Sequence, residues 1–202
     1  MKNYLQDLKT LISNPDMDSL KMSINNCHFE DMFSLVFAGN EAGRLTRAFI
    51  AGKELNPYEV QIHTHRYDLR ITAIKGNIVH HVAWPDTGLF SVKIDQFEYR
   101  SFLNGGNGLT YMGETDYQCN DYTIPIGSSV YLSYKDYHTM SCSKGAIWVV
   151  EELGFKTDVS YVLGVPFVAD DLYTEPAMFQ INDKCQLVQK EINKLLAEYS
   201  AV

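Results

Sequence analysis

The chain has 202 residues and a formal charge of −8, with 46% hydrophobic and 21% charged residues. That is an ordinary composition for one domain able to bury a core, and an acidic chain without a Lys/Arg run argues against a nucleic-acid partner. No stretch is apolar enough for a bilayer span, and acidic and amide residues interrupt the opening "MKNYLQDLKTLISNPDMD", so a cytoplasmic protein with no membrane partner is expected.

In chain order, Tyr4, Leu5, Leu8, Leu11 and Ile12 recur at helical spacing before the turn residues "SNPD", which predicts an amphipathic helix inside an N-terminal segment, 1–30. Short runs rich in Val, Ile, Tyr, Phe and Thr follow: "MFSLVFA", "RLTRAFIA", "VQIHTHRYDLRITAIK", "NIVHHVAW", "LFSVKIDQFEYRSF", "YTIPI", "SVYLSYK", "HTMSCS" and "AIWVVEEL". Turn formers such as "GNEAG", "PDTG", "NGGNG" and "SKG" separate them, and strands at this spacing predict a β-sandwich or barrel core over 33–165. Asp183 then caps a predicted helix, 183–200, with Leu187, Val188, Ile192, Leu195, Leu196 and Tyr199 on one side. The whole chain, 1–202, reads as a single domain. Cys27, Cys119, Cys142 and Cys185 show no CxxC spacing and are expected as buried free thiols.

The chemistry concentrates at "EVQIHTHRYDL". If the strand is regular, Gln61, His63, His65, Tyr67, Leu69, Ile71 and Ala73 share one face. Imidazoles at i and i+2 reach one ion from adjacent pleats, but a stable centre needs a further ligand. His28, His80, His81 and His138 are available, and His138, after the Gly-led "GSSVYLSYKDY", is best placed. His80 and His81 occupy adjacent strand positions, so one faces inward and one outward.

These residues resemble the cupin superfamily, whose motifs are G-x5-H-x-H-x3-E-x6-G and G-x5-P-x-G-x2-H-x3-N. On the first, His63, His65 and Gly76 fall in register, while Pro57 and Leu69 replace Gly and Glu; on the second, Gly127 and His138 match, while Ser133, Lys135 and Cys142 replace Pro, Gly and Asn. The resemblance covers Pro57 to Cys142 and implies a mainly β cupin jelly-roll barrel with flanking helices. With Leu69 at the carboxylate position, a three-His metal site remains, similar to the cysteine dioxygenase branch. That branch implies one divalent metal, Fe(II) first, with Zn, Ni or Mn as alternatives. It further implies a non-haem iron dioxygenase acting with dioxygen on a small thiol- or carboxylate-bearing molecule.

By the same resemblance a substrate carboxylate needs an Arg, for which Arg47 is the candidate by chemistry. A catalytic Tyr is also implied, with Tyr137 beside His138 and with Tyr161, Tyr122 and Tyr67 as alternatives. Gln61, Tyr67 and His81 are candidates for substrate or ligand-supporting contacts. Two other classes stay open: a non-catalytic small-molecule-binding or sensor cupin, and a metal-dependent isomerase or hydrolase using Glu59, Asp68 or an inward His81. A homodimer would pair through a sheet edge, for which "MFSLVFA" or "AIWVVEEL" is suited.

Overall fold

The computed structural model describes residues 4, 6, 7, 10, 22–25, 27, 30–39, 44–57, 59–100, 105–164 and 177–178. Among them run β1 (Ile24–Asn25), β2 (Met32–Gly39), β3 (Leu45–Ala51), β4 (Ile62–His63), β5 (Tyr67–Lys75), β6 (Ile78–Pro85) and β7 (Val92–Arg100). They continue with β8 (Gly108–Thr123), β9 (Ser129–Leu132), β10 (Tyr137–Cys142), β11 (Ile147–Phe155), β12 (Ser160–Leu163) and β13 (Ala177–Met178). One sheet has the order β13-β1-β2-β3-β11-β5-β9, and the other closes as β10-β4-β12-β7-β8-β6. Every pairing within them is antiparallel.

Period-two alternation builds the core. On β5, Leu69, Ile71 and Ala73 turn one way and meet Trp148 and Val150 of β11, Ala51 of β3 and Met32 of β2. From the second sheet, Ile78 of β6 and Met140 and Cys142 of β10 join the same cluster, so the core lies between the two sheets. Each fully buried side chain of this size contributes roughly 1.5–3 kcal/mol relative to exposure. A second cluster, Ile62, Ala83, Ile94, Tyr117 and Leu163 with Cys119 and Tyr137 packed on it, occupies the opposite face of the second sheet.

The strands differ from those expected of the sequence at several points. "VQIHTHRYDLRITAIK" is not one strand: β4 belongs to the closed sheet, β5 to the other, and the chain crosses between them at Thr64–Arg66. The 16-residue β8 carries no sequence signal, because few of its residues are buried and no apolar alternation marks it. β12 carries none either, since four residues are too few to show a period.

Neither run chosen as a dimer edge is one: β2 lies between β1 and β3, and β11 between β3 and β5. The flanking helices are not part of the described fold. Only Tyr4, Gln6, Asp7 and Thr10 of the N-terminal run are described, and 183–200 lies outside the described residues. Of the cysteines, Cys27, Cys119 and Cys142 are free thiols, Cys142 buried and the others half-buried; burial pushes the Cys27 and Cys142 thiols up to about 11, and Cys185 lies outside the described residues. Among the described residues no helix is long and apolar enough to cross a membrane.

The glycine that closes the first motif match and the one that opens the second both adopt positive φ, 82° at Gly76 and 81° at Gly127. Gly76 is also close-packed, because a Cβ there would lie 2.8 Å from Ala146 Cα, whereas one at Gly127 meets nothing within 4 Å. Left-handed backbone alone costs an L residue about 1–2 kcal/mol. Gly127→Ala is therefore expected to lose about that much in urea unfolding, and Gly76→Ala more; equal losses would contradict the close approach of the 76 and 146 turns.

Candidate metal centre

The site begins at the crossing. Thr64, 3% exposed, donates its backbone N–H to the Tyr161 carbonyl at 2.8 Å, and its hydroxyl oxygen accepts the Tyr161 N–H at 2.8 Å. This two-way clamp ties the crossing to β12, which also pairs with β4. His63 precedes the clamp on β4, directly opposite His138 of β10, and His65 follows it before β5 begins. The bend brings the three rings together with centroids 4.8 Å (His63–His65), 5.4 Å (His63–His138) and 4.9 Å (His65–His138) apart.

One ring nitrogen from each of the three lies within 4.8 Å of the others. His65 Nε2 and His138 Nε2 are 2.6 Å apart, which a pair of lone pairs tolerates only around a shared proton or cation. Imidazole nitrogens bind a divalent ion such as zinc at about 2.0–2.1 Å, so this donor set fits one ion after small ring adjustments.

The other ring nitrogens settle which atoms are offered. His63 Nδ1 lies 2.8 Å from the Gln61 carbonyl oxygen; its N–H donates there, and Nε2 keeps the lone pair. His138 Nδ1 lies 2.9 Å from His80 Nε2. When His138 Nε2 is a metal donor, Nδ1–H donates to His80. His80 must then carry its proton on Nδ1, a buried atom that meets no hydrogen-bond partner among the described residues. Burial, and secondly the neighbouring His81, pull the His80 pKa down to about 4, which keeps it neutral and able to accept. The Tyr122 ring stands edge-on to His80 at 5.1 Å.

Other residues singled out from sequence are placed as follows. Gln61 supports His63 through its backbone, while its side chain is exposed. Tyr67 packs on the inter-sheet core and against Phe155 at 5.5 Å. Arg47 is opposite the core residue Val150, and its guanidinium is engaged by Glu152 at 3.6 Å, the Met22 carbonyl at 3.2 Å and Ser34 Oγ at 3.4 Å. Tyr137 and His81 are not brought to the three histidines. Alternation turns Tyr137 to the opposite face of β10 from His138, where it packs on Tyr117 and accepts the Gln96 amide N–H at 2.7 Å. Burial, with the Tyr117 hydrogen bond, pushes its pKa well up.

His81 likewise points away from His80, toward Asp121 and Ser141. The inward partner of that pair is His80, which the adjacent positions alone could not decide. Sequence reasoning also passed over Glu152, which faces Leu69 across β11 and β5 and accepts the Leu45 N–H at 3.2 Å. Burial pushes its pKa up against the pull of Arg47. Leu69 is part of the core, and Asp68 faces away from it, bound by the Tyr134 N–H at 3.0 Å and Lys156 at 3.2 Å.

No family model matches the chain, and no curated protein matches it. Similar solved structures include the hydroxypropylphosphonic acid epoxidase from S. wedmorenis, at 11% identity and a TM-score of 0.41 over 65% of this chain and 54% of that one. An RmlC-like cupin from Shewanella frigidimarina NCIMB 400 is 11% identical, with a TM-score of 0.35 over 71% of this chain and 85% of its own. Hydroquinone 1,2-dioxygenase from Sphingomonas sp. TTNP3, with 4-hydroxybenzoate bound, is 12% identical, with a TM-score of 0.37 over 67% and 68%. The chain spans about half the length of the epoxidase.

Two outcomes follow from His80. A residue that orients a metal-ligating imidazole typically changes metal affinity about 10–100-fold when replaced, so His80→Ala is expected to weaken zinc binding by that factor in competition with a chromophoric chelator, while Tyr137→Phe leaves it unchanged. Between its unfolded pKa near 6.5 and its folded value of about 4, the unfolded chain binds the proton that the folded chain refuses. Stability is therefore lost as pH falls through that window, and thermal melting of His80→Gln should show a shallower loss than the parent protein.

Proposed function

We propose that the chain is a metal-dependent cupin in which His63, His65 and His138 hold one divalent ion, and that it acts as a non-haem Fe(II) dioxygenase on a small thiol- or carboxylate-bearing molecule. The observation that carries this reading is the convergence of three imidazoles whose supporting contacts leave Nε2 of His63 and of His138 as donors. Bound there, the ion would supply open positions at which dioxygen and substrate are brought together.

The chain's own part is orientation and exclusion of water. The Gln61 carbonyl holds the His63 ring, and His80 holds the His138 ring in a pocket where His138 is 4% and His80 1% exposed. His63 and His65 are half-buried, which leaves that side of the group as the approach for a small molecule. Arg47 is the group proposed to receive a substrate carboxylate, exchanging Glu152 for it; an Arg fork suits either carboxylate equally.

Imidazole ligation by itself accepts Zn, Ni, Cu and Fe, and the affinity order disfavours ferrous iron. Iron is chosen on the sequence resemblance to the cysteine dioxygenase branch of the cupins.

The test is elemental analysis of protein purified without chelators or an affinity metal, then anaerobic Fe(II) loading and oxygen uptake with a panel of small thiols and carboxylates. Near-stoichiometric metal is expected, lost in His63→Ala and His138→Ala and retained in His28→Ala, with uptake that depends on one class of substrate. Equal metal loss in all three variants would overturn the ligand set. Metal binding without uptake would overturn the dioxygenase reading in favour of a binding module.

A further inference from the structure

On the face of the closed sheet opposite the three-His group, three side chains from three strands form a linear relay. His81 Nδ1 of β6 is 2.7 Å from Asp121 Oδ1 of β8, and His81 Nε2 is 2.7 Å from Ser141 Oγ of β10. The carboxylate takes the Nδ1–H, so the Nε2 lone pair accepts the Ser141 hydroxyl proton. This polarity, carboxylate to Nδ1 and Nε2 to hydroxyl, is that of a serine nucleophile with its base and orienting acid. His81 is 2% exposed and Ser141 6%, so the base is held in a water-poor setting, while the Asp121 side chain is 52% exposed.

Ser141 also lines a cleft of about 120 Å³, with Glu54, Leu55, Asn56, Asn77 and Ser143 among its walls. Ligand pockets for drug-sized molecules run to roughly 300–1,000 Å³, so this one admits only a short acyl group. Asn56 uses one amide N–H on Glu59 Oε1 at 3.0 Å; an amide carries two, so Asn56 and Asn77 bring to the cleft the type of donor that stabilises a developing oxyanion. Glu54 in the lining and the net charge of −8 disfavour anionic substrates.

We infer that Ser141, His81 and Asp121 form a second, metal-independent site that cleaves small neutral acyl esters, with Ser141 as nucleophile, His81 as general base and Asp121 as the residue that positions His81. Ser141 Oγ bonds to the carbonyl carbon as its proton passes to His81 Nε2. The tetrahedral adduct collapses with cleavage of the bond to the alcohol oxygen, which takes the proton from His81. Water, giving a proton to His81, then attacks the acyl-serine; the acid leaves and Ser141 recovers its proton. The net change is ester plus water to acid plus alcohol. This inference stands apart from the metal reading, because the two groups lie on opposite faces of the sheet.

The test is covalent labelling of chelator-treated full-length protein with methanesulfonyl fluoride, small enough for the cleft, followed by intact mass and peptide mapping, alongside hydrolysis of p-nitrophenyl acetate. One adduct per chain on Ser141 is expected. Label and turnover should both disappear in Ser141→Ala, fall at least tenfold in Asp121→Asn and be restored in Asp121→Glu. Circular dichroism and melting report folding, and because Asp121 is half-exposed its variants test the relay even where Ser141→Ala fails to fold. Absence of an adduct on Ser141 in folded protein, or equal labelling rates in the parent and Asp121→Asn, would reduce the three residues to a cross-strand hydrogen-bond chain and overturn the inference.

Discussion

The crossing at Thr64 is the constraint on which the rest of the site depends. A strand that continued straight from Ile62 to Lys75 would keep both histidines on one sheet. The chain instead leaves the closed sheet after His63, and Thr64 is held there by exchange with the Tyr161 backbone, N–H to carbonyl and N–H to hydroxyl. A buried crossing exposes backbone groups that no ladder satisfies, and each left unpaired costs free energy comparable to a lost hydrogen bond. The middle residue of "HTH" therefore solves a backbone problem, and in doing so it sets His63 against His138 and swings His65 in from the other side.

The same logic of satisfaction runs through the second sheet. Two adjacent histidines on β6 are both nearly fully buried, which apolar surroundings tolerate only where the ring nitrogens find partners. His81 has both of its nitrogens engaged, by Asp121 and Ser141. His80 has one engaged, by His138, and among the described residues its Nδ1 meets none. An orphaned buried N–H is a cost retained for a reason, and the reason visible in the geometry is control of the His138 tautomer. A single strand thus supplies one support residue to each of two faces, and the pleat keeps the two polar networks from sharing protons.

Much of this was legible in the residues. The spacing of His63, His65 and His138 picked out the group that converges, and both motif glycines sit at positive φ. Most of the strands lie on the runs that marked them. β8 failed to register because its residues are largely exposed, so burial imposed no alternation on them. Tyr137 adjoins His138 in sequence, yet adjacency on a strand means opposite faces. Period alone does not choose between His80 and His81, since two neighbouring residues satisfy the same alternation in either phase.

By itself the sequence determined the residue types, the two-residue period that commits most strands, and the spacing that brings three imidazoles into register along the chain. Only the tertiary structure decided where that period breaks, which phase each strand takes toward the interior, and which ring nitrogen of each histidine is offered. The physical reason is that period and composition are local, whereas phase and tautomer are set by partners far along the chain: Tyr161 for Thr64, His80 for His138, and Asp121 and Ser141 for His81.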